Sequence, residues 1–190
     1  MRVFIAIELP QDIKERLSRL QDKLKGSGAD VRWVNPGNIH LTLRFLGEIN
    51  EESLGKVDGM IREVAKGKPK IKVNLSGLGL FPDTNHPKVI WAGVKEGDSE
   101  IKIIAKEIEE KLLGLGIPKE ERPFSSHITI GRVKSSVNKE RLLEGLDRLE
   151  GEFREKGFDF AADKITIFKS SLLCGGPVYE ALKEITLKDT

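Results

Sequence analysis

Two copies of one tetrapeptide, His40-Leu41-Thr42-Leu43 and His127-Ile128-Thr129-Ile130, constrain this chain more than any other feature in it. They hold two of its three histidines and lie 87 residues apart. Each sits in a run rich in β-branched residues and leucine, and so reads as a strand whose successive side chains alternate between faces. Ile39, Leu41, Leu43 and Phe45 then point one way, while His40, Thr42 and Arg44 point the other. Ile128 and Ile130 likewise oppose His127 and Thr129. The strand rise separates an imidazole and a hydroxyl by about 6–7 Å on one polar face. Two such pairs facing each other would combine two proton-transfer groups with two hydroxyl donors, equipment for acid–base chemistry on a phosphate.

The element order repeats around the two motifs. An apolar strand run at 2–9 precedes a helix over 10–25, with Ile13, Leu17, Leu20 and Leu24 at helical spacing. The His40 strand follows, then a helix near 51–66 and a strand near 70–80. The second half repeats this with a strand at 88–95, a helix at 98–113, the His127 strand, a helix at 139–149 and a strand near 153–161. Two more strands, near 164–170 and 178–187, close the chain. Loops are marked by Gly26-Ser27-Gly28, Asn35-Pro36-Gly37, Gly67 to Pro69, Phe81 to Pro87 and Gly175-Gly176-Pro177. This order predicts an α+β fold of two pseudo-symmetric lobes, each a mostly antiparallel sheet with helices outside, around a central cleft. With no long linker, residues 1–190 read as a single two-lobed domain.

Composition narrows the chemistry. A net charge of +2 with 33% charged residues is balanced rather than polybasic, which argues against broad coating of nucleic acid but leaves room for a local basic cleft. The single Cys174 excludes an intramolecular disulfide. No run is long and apolar enough for a signal peptide or a membrane span, so a cytoplasmic protein with no membrane partner is expected. A zinc hydrolase needs a recognisable ligand cluster, and the sequence holds neither HExxH nor a Cys/His set; a GxxxxGK[ST] loop is also missing. No metal or cofactor is therefore expected.

The flanks of both motifs carry a resemblance. Val31-Arg32-Trp33-Val34 through Asn38-Ile39-His40-Leu41-Thr42-Leu43-Arg44-Phe45-Leu46-Gly47 is similar to the first signature of the 2H phosphoesterase superfamily. Phe124 through His127-Ile128-Thr129-Ile130-Gly131-Arg132 resembles its second. Gly79-Leu80-Phe81-Pro82, Val89 to Val94, Phe168 to Leu172 and Gly176 to Glu180 extend the likeness over nearly the whole chain. Within the superfamily the chain most resembles the RNA 2′,3′-cyclic phosphodiesterases, historically called 2′-5′ RNA ligases. Ser126 departs from the pattern, which often has proline there.

The resemblance implies a substrate and a set of roles. The partner is RNA ending in a 2′,3′-cyclic phosphate, tRNA fragments included, acted on by a monomer. His40 is the proton donor and His127 the acceptor in an opening that leaves a 2′-phosphate. In reverse, the same groups would join such an end to a 5′-hydroxyl without ATP. Thr42, Thr129 and Arg132 hold the phosphate. Strict alternation would turn Arg132 away from His127, unless Gly131 permits a bulge. Arg44, on the histidine face, and Phe81, which could stack on a base, are further candidates for substrate contact. Trp33 and Trp91 read as packing residues, and His86, in a proline-flanked loop, as solvent-exposed. A competing reading of another class is a non-catalytic nucleotide- or RNA-binding module whose histidines only grip phosphate.

Overall fold

The alternation of apolar residues organises the chain into two antiparallel sheets. In the computed structural model, which describes residues 1–188, one sheet contains β1 (Arg2–Glu8), β3 (His40–Glu48), β8 (Lys164–Leu173) and β9 (Gly176–Thr186), in the order β3-β1-β8-β9. The other contains β2 (Val31–Trp33), β4 (Ile71–Phe81), β5 (Val89–Glu96), β6 (His127–Val133) and β7 (Phe158–Ala162), in the order β2-β6-β5-β4-β7. The two histidine strands, β3 and β6, approach within 8 Å Cα to Cα across the seam between the sheets.

Among the described residues four amphipathic helices cover the sheets: α1 (Gln11–Lys25), α2 (Glu51–Ala65), α3 (Asp98–Gly114) and α4 (Lys139–Lys156). Their apolar stripes are the ones periodicity predicts; α1 buries Ile13, Leu17, Leu20 and Leu24, and α3 buries Ile101, Ile104, Ile108 and Leu112. The Asn50 side chain accepts from the Ser53 amide to cap α2, with Glu51 and Glu52 in the first turn favouring the positive end of its dipole. None of the described helices is long and apolar enough to cross a membrane.

The repeat in sequence does not map directly onto the two lobes. β1 pairs with β3 as β5 pairs with β6. Yet β4, which ends the first half, crosses over to pair with β5 and β7, and the first sheet is completed only by β8 and β9. The helices are exchanged too: α1 packs against α4 and β6, and α3 against β3 as well as β4 and β5. The result is one continuous core in which Ile5, Ile7 and Leu41 of the first sheet join Ile90, Ile128 and Ile130 of the second. Each of these side chains is fully enclosed, a contribution of about 1.5–3 kcal/mol apiece relative to exposure.

Two boundaries differ from the periodicity. The helix expected to stop near 149 runs on to Lys156, because Phe153 extends the buried series Leu142, Leu146, Leu149 by one more turn. The strand expected from 153 therefore begins at Phe158. Between the loops expected at Gly26-Ser27-Gly28 and Asn35-Pro36-Gly37, where periodicity predicts no element, three residues pair with β6 as β2, and Pro36–Asn38 form a 3-10 turn capped by the Asn35 side chain.

Candidate active site

Both histidines are oriented in the same way. The Nδ1–H of His40 donates to the Asn38 carbonyl at 2.7 Å, and that of His127 to the Ser125 carbonyl at 2.8 Å. A carbonyl can only accept, so each Nδ1 carries the hydrogen and each Nε2 is left as the working nitrogen. His40 Nε2 lies 2.9 Å from the Thr42 hydroxyl. Thr129 occupies the same place relative to His127, with no matching bond between them.

The residues after each threonine decide the rest of the site. In β6 the pairing jumps from Trp91↔Thr129 to Ile90↔Gly131, so Ile130 is an extra residue. The bulge buries both Ile130 and Gly131 and turns Arg132 out onto the face of His127 and Thr129. Only glycine fits at 131: a Cβ there would meet Val31 at 2.9 Å and the Trp33 ring at 3.1 Å. The buried Gln21 side chain, from α1, donates to the carbonyls of both Val34 and Ile130 at 2.8 Å and fixes the bulge from behind.

β3 has the equivalent bulge, with different contents. The register jumps from Ala6↔Thr42 to Ile5↔Arg44, leaving Leu43 extra. Arg44 is thereby turned inward, 8% exposed, where its guanidinium bonds Glu109, Glu120 and the Pro118 and Phe45 carbonyls. The expectation that Arg44 contacts substrate fails on this geometry: its donors are consumed inside the protein. Phe45, expected on the apolar face, is instead 55% exposed on the histidine side, 5.8 Å from Phe4. Phe45 thus holds the place in β3 that Arg132 holds in β6.

The surroundings of the two imidazoles also differ. His40 is ringed by aromatics: Phe4 at 4.8 Å, Tyr179 edge-on at 5.3 Å and Phe168 at 6.4 Å. Burial pushes its pKa below the ordinary histidine value. The Asn38 carbonyl opposes that shift, and the positive charges of Lys14 and Arg132 add to it. Lys14 is itself buried, donating to Glu8 at 3.1 Å and to the Gly37 carbonyl at 3.4 Å. It thereby ties α1 to the turn that presents His40. His127 has one aromatic neighbour, Phe81, edge-on at 5.1 Å. Phe81 stacks in turn on Trp91, whose ring lies over Gly79 where any side chain would collide.

Trp33 packs on Gly131, and Trp91 beneath Phe81, consistent with structural roles. His86 is exposed in its loop, its backbone amide bonded to Asp83. Lys14 and Gln21 were not singled out from the sequence, although a polar residue beside Ile13 and another four positions after Leu17 are the available signals. Two surface hollows, of about 180 and 460 Å³, lie between α1 and α4 and beside Asn74 and Arg154, and neither is lined by a histidine. Among the described residues no group of three or more His, Cys, Asp or Glu side chains is arranged to hold a metal ion.

Two antiparallel sheets meeting at paired His-x-Thr strands, each imidazole fixed by a carbonyl two residues earlier, define a two-histidine phosphoesterase. The chain belongs to the LigT-like phosphoesterase family, whose pattern matches residues 7–91 and 93–179, one motif in each segment. It is 39% identical to an RNA 2′,3′-cyclic phosphodiesterase of Methanocaldococcus jannaschii, over 97% of this chain and 99% of that one. It is 35% identical to the enzyme of the same name from Thermotoga maritima, over 97% and 94%. In structure it is similar to TT0787 of Thermus thermophilus (TM-score 0.79, 26% identity, covering 100% and 99% of the two chains). It also shares its fold with E. coli LigT complexed with 3′-AMP (TM-score 0.80, 24% identity, 99% and 98%).

Proposed function

We propose that this chain opens 2′,3′-cyclic phosphate ends of RNA to 2′-phosphates, and that with a 5′-hydroxyl attacking in place of water the same groups carry out ATP-independent 2′-5′ joining. The observation that carries the reading is the matched pair of histidines on β3 and β6, each fixed through Nδ1, in a chain whose full-length relatives bear that activity in their names. In the hydrolytic direction His127 takes a proton from water as it attacks phosphorus. His40 gives a proton to the departing 3′ oxygen, and the phosphate stays on the 2′ oxygen. Thr42, Thr129 and Arg132 hold the non-bridging oxygens as charge builds on them, and Phe81 offers its face to the substrate. Because enclosure favours neutral His40 in the free protein, its donor role draws on the substrate's own negative charge to restore proton affinity. The natural substrate is an RNA fragment, tRNA pieces included, met by a monomer in the cytoplasm.

The test is turnover of an oligoribonucleotide with a 2′,3′-cyclic phosphate end in the presence of EDTA, with product isomers resolved. A 2′-phosphate product is expected. A 3′-phosphate would mean the wrong leaving oxygen, and binding without turnover would favour a module that only grips phosphate. Activity abolished by EDTA and restored by a divalent cation would defeat the metal-free mechanism.

A further inference from the structure

Arg32 and Arg132 are direct partners in the β2–β6 pair, so their side chains leave the same face of the sheet. Both are exposed, and among the described residues neither is bound by a carboxylate. Like charges placed directly opposite weaken a strand pair. The chain accepts that here, although it has 30 acidic residues and gives Arg44, Arg62 and Arg154 partners among them. Arg32 also leans across the seam: a guanidinium nitrogen lies 3.4 Å from where a side chain on Gly176 would begin, at the β8–β9 turn. Arg32 and Arg132 together place positive charge on Tyr179, whereas Arg132 also reaches His40. The two cations therefore share one face of the β2–β6 pair: the charge of Arg132 acts on His40 and Tyr179, and that of Arg32 on Tyr179, with its guanidinium by Gly176 and Tyr179 packed on the Phe4–Phe168 cluster.

We propose that Arg32 forms a second phosphate subsite, holding the phosphodiester on the 5′ side of the nucleotide whose cyclic phosphate is opened, while Arg132 serves the cyclic phosphate itself. The inference rests on the cyclic-phosphate reading above. It makes the protein a reader of chain continuation: an RNA end has the outer phosphodiester, and a cyclic mononucleotide with a free 5′-hydroxyl does not.

Steady-state kinetics on those two substrates test it, using a 2′,3′-cyclic mononucleotide and a dinucleotide ending in the same cyclic nucleotide. Arg32→Gln is expected to lower kcat/KM on the dinucleotide about 10-fold, mainly through KM, as loss of a charge-assisted contact predicts. On the mononucleotide the change should stay below about 2-fold. The slope of log kcat/KM against log salt on the dinucleotide should become shallower by about 0.7, the share of one phosphate contact on a single strand. Arg32 faces a cation and no anion, so the variant should unfold no earlier than the parent on heating, which separates lost binding from lost folding. Equal losses on both substrates, or no loss on the dinucleotide, would overturn the subsite. A parent protein inactive on both substrates would instead defeat the cyclic-phosphate reading, and the subsite with it.

Discussion

β3 and β6 begin alike and end differently. Each opens with a histidine tied to a carbonyl two residues back, continues through a threonine on the same face, and then takes in one extra residue. Past that point β6 presents an arginine to the seam and β3 a phenylalanine, while the arginine of β3 is buried in an ion-pair cluster. The shared part supplies two imidazoles oriented alike, and the divergent part gives the site a charged side and an aromatic side. A site made of two copies of one strand can orient an asymmetric substrate only through such divergence.

The histidines test the shared part. His40→Ala and His127→Ala should each slow turnover by at least about 100-fold, the lower scale for a lost general acid or base, measured on a cyclic-phosphate end. An activated nitrophenyl ester, which departs without a proton, should rescue the donor variant more than the acceptor variant. If His127→Ala is the one rescued, the two roles are exchanged. His86→Ala should leave the rate nearly unchanged.

The arginines test the divergence. Arg132→Ala should lower kcat/KM about 10- to 100-fold with little change in Tm, if its proposed role is to hold the phosphate, since it has no internal ion-pair partner to lose. Arg44→Ala should do the reverse: a loss of about 2–4 kcal/mol in denaturant unfolding, because Glu109 is left enclosed and uncompensated, with turnover kept at temperatures where the protein stays folded. Matching effects of the two substitutions on activity would remove the distinction.

A smaller contrast concerns the threonines. Thr42→Ala should cost about 10-fold and also alter the pH profile, because Thr42 bonds the working nitrogen of His40. Thr129→Ala should cost a similar factor and leave the profile in place.

The pH profile itself sharpens the comparison of environments. Burial holds His40 below the usual histidine value of about 6.5 in the free protein, so as a donor it loses its proton early as pH rises. A titration of the free protein followed by NMR should therefore place the charge change of the His40 imidazole below that value. With a bound phosphodiester anion, which favours protonated His40, the midpoint should move up. A free-protein midpoint for His40 above about pH 7 would contradict the environment described for it.

Much of this was legible in the chain because periodicity is a local signal. The strand and helix series, the shared face of His40 and Thr42, and the role of Gly131 as the point where β6 breaks step are all set by neighbouring residues. Leu43 and Arg44 give no such sign: neither is glycine, and the bulge between them is imposed by pairing with β1 and by acidic groups on α3 and at Glu120. Alternation therefore put Arg44 and Phe45 on the wrong faces. The exchange of β4 between sheets was hidden for a related reason, since which strand pairs with which is settled by tertiary packing. β2 is only three residues long, too short for a pattern to register.

That exchange also governs how the molecule comes into being. Val3 pairs with Lys169, so the sheet that presents His40 stays open at β1 until β8, far along the sequence, is in place. Contacts separated so widely in sequence are expensive in loop-closure entropy and slow to form. Neither motif can be matured in a half-length chain, and the two oriented histidines should be gained or lost together in one cooperative transition. A duplicated motif has here become an indivisible protein.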